Sequence, residues 1–117
     1  MTDLRSRRDE IPPGTLDMLI LKTLARGGEL HGYEIANSIQ AASDHVLQVE
    51  EGSLYPALQR LQIQGWIASE WGHSVNNRRA RYYRLTAAGR KQLEKKVSEF
   101  DKLLKAIASV MRPATDT

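Results

Sequence analysis

Gln59 and Arg60 stand side by side on a short amphipathic stretch, and Arg78, Arg79, Arg81 and Arg84 crowd a segment further along the chain. A glutamine amide donates and accepts along one edge, which matches the major-groove edge of adenine, and a guanidinium donates two parallel bonds to guanine. Arginines also settle into a narrow minor groove, where the negative potential is strongest. Residues 72–84 hold four arginines and no aspartate or glutamate, so those cations are not matched locally by counter-charges. This is chemistry for holding a polyanion, not for making or breaking a bond.

The elements that position these residues follow from punctuation and periodicity. Proline lacks an N–H and is tolerated in the first turn of a helix, so Pro56 sets a helix start near Gly52 or Ser53, with Ser53 as N-cap. Leu54, Leu58 and Leu61 line one face of that helix, Gly65 follows its end, and Ile63 falls off the stripe. Helices that enter the major groove read bases with their N-terminal residues, here Ser53, Tyr55, Pro56, Gln59 and Arg60. Tyr55 can bond a phosphate or cover a thymine methyl, or with Pro56 simply shape the helix start. Two antiparallel strands are predicted over Trp66–Trp71 and Arg79–Leu85, joined by a turn at Gly72–Asn77. Asn76, Asn77, Arg78 and Arg79 then occupy the hairpin tip. Alternation puts Arg81, Tyr83 and Leu85 on one face and Tyr82 and Arg84 on the other. Arg81 reads as a strand-end contact or a salt-bridge partner. Trp66 reads as core; Trp71, on the opposite face, reads as packing or as the lining of a ligand pocket.

Upstream, Thr15 is the expected cap of a first helix that carries Leu16, Leu19, Ile20 and Leu24 and stops at Gly27-Gly28. A second helix starts near His31-Gly32 and buries Ile35, Ala36 and Ile39. Free N–H groups at its start make His31, Gly32 and Tyr33 candidate phosphate contacts, with core packing under the hairpin as the other reading of Tyr33. Residues 42–51 connect to the third helix, and Val46, Leu47 and Val49 are a candidate short strand.

Thr86 caps a last helix running from Ala87 to Met111, and Pro113 marks its end. Leu93, Val97, Phe100, Leu104, Ile107 and Met111 recur at 4, 3, 4, 3, 4, an a/d heptad seam. At 1.5 Å per residue the seam spans ~27 Å, longer than a small domain can cover, so a second copy of the chain is its expected partner. The fold class is mainly α with a small β-hairpin: a winged helix-turn-helix over residues 14–86, preceded by an arm at 1–13, followed by a C-terminal dimerisation helix at 87–112 and a tail at 113–117.

The chain's 117 residues suit one domain with a modest core, and its net charge of +3 permits a polyanionic partner without demanding one. There is no cysteine, which excludes disulfides and thiolate metal sites. His31, His45 and His73 lack ligand spacing, Ser53 has no evident histidine partner, and no glycine-rich phosphate loop occurs, so no metal, cofactor or catalytic function is expected. No apolar run approaches the ~20 residues of a membrane span and the N-terminus is charged, so a cytoplasmic protein is expected.

Five pieces, in order and with compatible spacing over residues 14–90, resemble the PadR family of bacterial transcriptional regulators. They are Gly14-Thr15-Leu16-Asp17, His31-Gly32-Tyr33-Glu34-Ile35, Gly52-Ser53-Leu54-Tyr55-Pro56-Ala57-Leu58, Gly65-Trp66-Ile67 and Tyr83-Arg84-Leu85-Thr86-Ala87-Ala88-Gly89. The single C-terminal helix is similar to the short subgroup. The resemblance implies a homodimeric repressor on a near-palindromic operator of double-stranded DNA, in some relatives released by a small aromatic or cationic effector near the dimer interface. Here the last helix offers only Phe100 as an aromatic surface for such a compound. The competing reading is a winged helix used for protein–protein contact, against which the arginine-rich hairpin argues.

Overall fold

The computed structural model describes residues 11–114. The arm's Arg5, Arg7 and Arg8 and the last three residues of the tail lie outside them. Helix α1 spans Pro13–Gly27, strand β1 Leu30–His31, helix α2 Gly32–Ala42, helix α3 Glu51–Ile63, strands β2 and β3 Ile67–His73 and Arg79–Leu85, and helix α4 Ala87–Met111.

Local chemistry explains most boundaries, with some corrections to the expected caps. Helix α1 starts two residues before Thr15: Pro13 takes the first helical position, where its fixed φ is preorganised, and the Pro12 carbonyl accepts from the Leu16 N–H at 2.9 Å. Thr15 is therefore inside the helix and caps nothing. Helix α3 likewise starts at Glu51, so Ser53 is not its N-cap and Pro56 lies in the second turn. The Glu50 carbonyl accepts from the N–H groups of both Ser53 and Leu54, at 3.0 and 2.9 Å. Without an N–H on Pro56, the Gly52 carbonyl has no helical donor; Gly52 is exposed, so water can supply one. After α3 the chain reverses at Gly65, whose φ of 78° suits a residue without a Cβ. Thr86 caps α4 as expected, its hydroxyl accepting from the Gly89 N–H at 3.0 Å and donating to the Gly65 carbonyl at 2.7 Å.

The strand lies before α2, not after it. β1 has only two residues, pairing Leu30 with Tyr83 and His31 with Tyr82, and completes an antiparallel sheet of order β1-β3-β2. Val46, Leu47 and Val49 form no strand. Asp44 and His45 turn the backbone through φ values of 53° and 62°, and side chains tie the connector down instead. Leu47 N–H donates to Ser43 Oγ at 3.0 Å and Val49 N–H to Gln40 Oε1 at 2.9 Å. In the hairpin, β2 begins and ends later than expected, pairing from Ile67↔Leu85 to His73↔Arg79. Its turn is Ser74–Arg78, with Asn77 at φ 60°, a left-handed conformation that asparagine tolerates.

One core joins these elements. Leu16, Ile20, Leu21 and Leu24 of α1 meet Ile35 and Ile39 of α2, Leu54, Ala57, Leu58 and Leu61 of α3, Ile67 of β2, Tyr83 of β3 and Leu93 of α4. The leucine stripe of α3 is thus the inner face that aims its opposite face at solvent. Where α4 leaves the sheet, Gly89 lies so close to the Trp66 carbonyl that a Cβ would collide with backbone. Beyond that joint Leu93 still joins the core and α4 runs on beside α1, with Phe100 and Leu103 near Pro12, Gly14, Thr15 and Met18, before its last turns leave the domain. The radius of gyration is 16.5 Å, against about 13.4 Å for a compact chain of this length.

Candidate nucleic-acid interface

With its leucines buried, α3 exposes a ridge of Gly52, Pro56, Gln59 and Ile63, spaced 4, 3, 4. This places Ile63: it continues the outward ridge next to Gln59. The two flanks of the ridge differ. Tyr55 and Gln62 face the hairpin, near Arg81 and Tyr83. Ser53 and Arg60 face the start of α1, near Pro12, Pro13 and Leu16.

Arg60 is not a free cation. Its Nη2 donates to Asp17 Oδ1 of α1 at 2.9 Å. The guanidinium stays half exposed, but its direction is set by a carboxylate 43 positions away. Gln59 is exposed on the ridge.

Helix α2 presents its start beside α3. His31 Nδ1 accepts from the Glu34 N–H at 3.3 Å while Glu34 Oε1 accepts from the His31 N–H at 3.0 Å, a reciprocal cap. His31 is thus a structural element of the helix start, its ring packed edge-on to Tyr82. Tyr33 is 69% exposed, which rules out the packing role under the hairpin. Tyr55 wedges between the two helices: a Cβ on Gly32 would come within 2.8 Å of its hydroxyl, so glycine there makes room for the ring.

The hairpin carries the arginines. Among the described residues none of Arg78, Arg79, Arg81 and Arg84 forms an ion pair. Arg81 is therefore not the salt-bridge partner allowed above. Its Nε donates to Ser69 Oγ at 2.8 Å, and Ser69 Oγ donates to Gln62 Oε1 of α3 at 3.0 Å. The guanidinium carbons of Arg79 and Arg81 lie 4.4 and 5.2 Å from the Trp71 ring centre. Trp71 is 54% exposed, so it does not fill the core; it lies at the edge of an open groove. Its arrangement was hidden in the sequence because β2–β3 register, not local spacing, sets Trp71 opposite Arg81. Burial pushes the Tyr83 hydroxyl above its ordinary pKa against the opposing charge of Arg81, so Tyr83 stays neutral beneath the arginines. Asn77 shapes the turn through its backbone, while Val75 beside it is fully exposed.

Between the start of α2, Tyr55 and the hairpin runs an open groove of about 720 Å³, walled by His31, Tyr33, Tyr55, Trp71, Arg79 and Arg81. Among the described residues no carboxylate lines it. Ridge, groove and wing share one side of the domain. No group of acidic or histidine side chains that could hold a metal occurs among the described residues.

A second surface lies on α4. Leu93 is buried against its own domain, so it belongs to the core and not to an intermolecular seam. Val97, Phe100, Leu104, Ile107 and Met111 are 40–74% exposed. Leu103 and Val110, outside the expected heptad, are exposed too and widen the apolar arc. Lys96 lies 5.9 Å from the Trp66 ring, and Phe100 and Leu103 share a cleft with Pro12, Gly14, Thr15 and Met18, so α4 lies along its own domain as far as Leu103.

A helix-turn-helix whose outward helix stands beside a two-stranded hairpin is a winged helix. This chain belongs to the transcriptional regulator PadR-like family, whose profile matches residues 20–95. The fold is similar to that of a transcriptional regulator from Clostridium thermocellum, with a TM-score of 0.77 and 33% identity over 85% of this chain and 95% of that one. A PadR family transcription regulator from Clostridium difficile R20291 gives a TM-score of 0.71 and 30% identity over 83% and 98% of the two chains. In sequence, the transcriptional regulator Rv3488 of Mycobacterium tuberculosis is 41% identical over 69 residues, 59% of this chain and 61% of that protein. The family is one of regulators, not of enzymes. No helix among the described residues is long and apolar enough to cross a membrane.

Proposed function

We propose that this protein is a homodimeric, sequence-specific repressor acting on double-stranded DNA in the cytoplasm. The observation that carries the reading is the shared exposure, on one side of the domain, of the Gln59 ridge and of hairpin arginines that have no ion pair among the described residues. In this reading α3 enters the major groove, with Gln59 and Ser53, Tyr55 and Pro56 around it contacting base edges or the adjoining backbone. Arg60 contributes from the flank with the guanidinium edge that Asp17 leaves open. Tyr33 and the start of α2 face phosphates, and Arg78, Arg79 and Arg81 of the wing, around Asn77, meet the neighbouring groove.

The α4 arc supports the dimer. A soluble monomer rarely exposes so large a contiguous apolar patch. A second copy covers it isologously and places two reading helices for half-sites about one turn of DNA apart, hence a near-palindromic operator. Phe100 alone offers aromatic surface on α4, so the reading does not depend on a flat effector that stacks there.

The test is an anisotropy titration of the protein against its own promoter region, with scrambled competitor and a salt series. Nanomolar, competitor-resistant binding at two protomers per site is the expected result. Weak binding lost equally on both duplexes would refute the operator reading and leave only nonspecific attraction.

A further inference from the structure

Trp71 lines the groove beneath the hairpin arginines. It is one of two tryptophans, and it is more than half exposed on a strand whose inner positions elsewhere fill the core. Ile67, Ser69, Trp71 and His73 alternate onto one face of β2, opposite Leu85, Tyr83, Arg81 and Arg79. Near α4 this face is core: Ile67 and Tyr83 are buried. Towards the wing tip it emerges from under α3, and the same alternation continues as an indole beneath two guanidiniums.

We infer that Trp71 is a positioning residue for DNA binding, an aromatic platform that presets Arg79 and Arg81 before DNA arrives. The inference rests on the DNA-binding reading above and extends it to a residue that need not touch DNA. Three observations converge. First, the guanidinium carbons of Arg79 and Arg81 lie 4.4 and 5.2 Å from the indole centre, a contact that consumes no N–H donor and so leaves donors for phosphate oxygens. Second, Arg81 is held at two points, by Trp71 and by Ser69 Oγ, and Ser69 in turn bonds Gln62 of α3. The chain Gln62–Ser69–Arg81–Trp71–Arg79 therefore ties the wing's cations to the reading helix as one rigid unit. Third, no carboxylate competes for either arginine among the described residues. An arginine on an unsupported hairpin loses much rotamer freedom when it docks; one already stacked loses less, and affinity gains by that difference.

The test is a double-mutant cycle read on two duplexes, the promoter region and a scrambled sequence, together with Arg side-chain Nε relaxation in the free protein. Trp71→Ala is expected to weaken binding about tenfold, as two cation–π contacts would. The salt slope should stay unchanged, because the arginines still reach phosphate, and the thermal midpoint should also hold. Trp71→Phe should recover most of the affinity. In a protein already carrying Arg79→Ala and Arg81→Ala, Trp71→Ala should cost nothing more. In the free wild type, the Arg79 and Arg81 Nε order parameters should exceed that of Arg84; in Trp71→Ala that of Arg79 should fall to the Arg84 level and that of Arg81 only in part, since Ser69 Oγ still holds its Nε.

Unchanged affinity for Trp71→Ala, or an equal loss in the arginine-less background, would overturn the inference, the latter by showing that Trp71 acts on DNA directly. A wild type that prefers its promoter no more than the scrambled duplex refutes the operator reading instead. The cycle on the scrambled duplex and the order parameters would still decide the role of Trp71.

Discussion

On the wing, Arg79 and Arg81 stand over Trp71 with no carboxylate partner among the described residues; on α4, Leu104, Val110 and Met111 stand more than half exposed. Both regions emerge from the same core, and both continue an alternation that begins as buried structure. In β2 and β3 the inner face runs from Ile67 and Tyr83 out to Trp71 and Arg81. In α4 the seam runs from buried Leu93 out to Met111. What differs is the kind of incompleteness. Unpaired cations on a firm support are stable in water and gain from meeting a polyanion. An apolar arc in water is a standing cost, removed only when another apolar surface covers it. The first surface can therefore wait for a ligand, whereas the second calls for a permanent partner, which in the function proposed above is a second copy of the chain.

The comparison can be broken most completely at the joint of the two regions. Gly89→Ala drives a Cβ into the Trp66 carbonyl, and the strain should exceed any gain in helix propensity and cost about 3 kcal/mol or more. Thermal unfolding by circular dichroism should show a sharply lowered midpoint; a midpoint equal to wild type would mean that α4 can shift without loss.

Next in size is the separation of the two surfaces. Phe100→Asp or Leu104→Asp would bury a carboxylate in the dimer seam and should give folded monomers, because both side chains are exposed in the single chain. Light scattering that still reports a dimer would place the partner surface elsewhere.

Removing charge from the wing should act on one surface alone. Arg78→Ala with Arg79→Ala should weaken binding on all sequences and reduce the salt slope by about two, while the dimer persists. An unchanged slope would take the wing out of the contact.

The smallest effect separates neighbours on α3. Gln59→Ala should relax preference at one base pair, at about 1–3 kcal/mol, and leave stability unchanged. Arg60→Ala should lower stability by at most about 1 kcal/mol, since its pair with Asp17 is partly exposed and screened by solvent. Its effect on base preference should be the lesser of the two. A base-specificity loss at Arg60 equal to that at Gln59 would mean that the Asp17 bridge opens on DNA.

Much of this was legible in the residues themselves. Leu54, Leu58 and Leu61 recur at helical spacing and are buried together. Thr86, Gly65 and Pro113 mark the ends of the elements they flank. Residue-scale cap signals were less secure: Thr15 and Ser53 have the right side chains, but Pro13 and the Glu50 carbonyl start those helices earlier. β1 was not legible, because two residues have no period and exist as a strand only by pairing with Tyr82 and Tyr83.

The order of the four helices and the hairpin, the arginines of that hairpin and the apolar seam were determined by the sequence alone, because they depend on periodicity and backbone preferences that act within a few residues. The tertiary structure decided which members of those patterns are available. It tied Arg60 to Asp17 across 43 positions, drew Leu93 into the core, left Tyr33 exposed, and set Trp71 beneath Arg79 and Arg81. These outcomes depend on where separate elements meet. Side-chain contacts across that distance are fixed only when packing sets the register of one element against another.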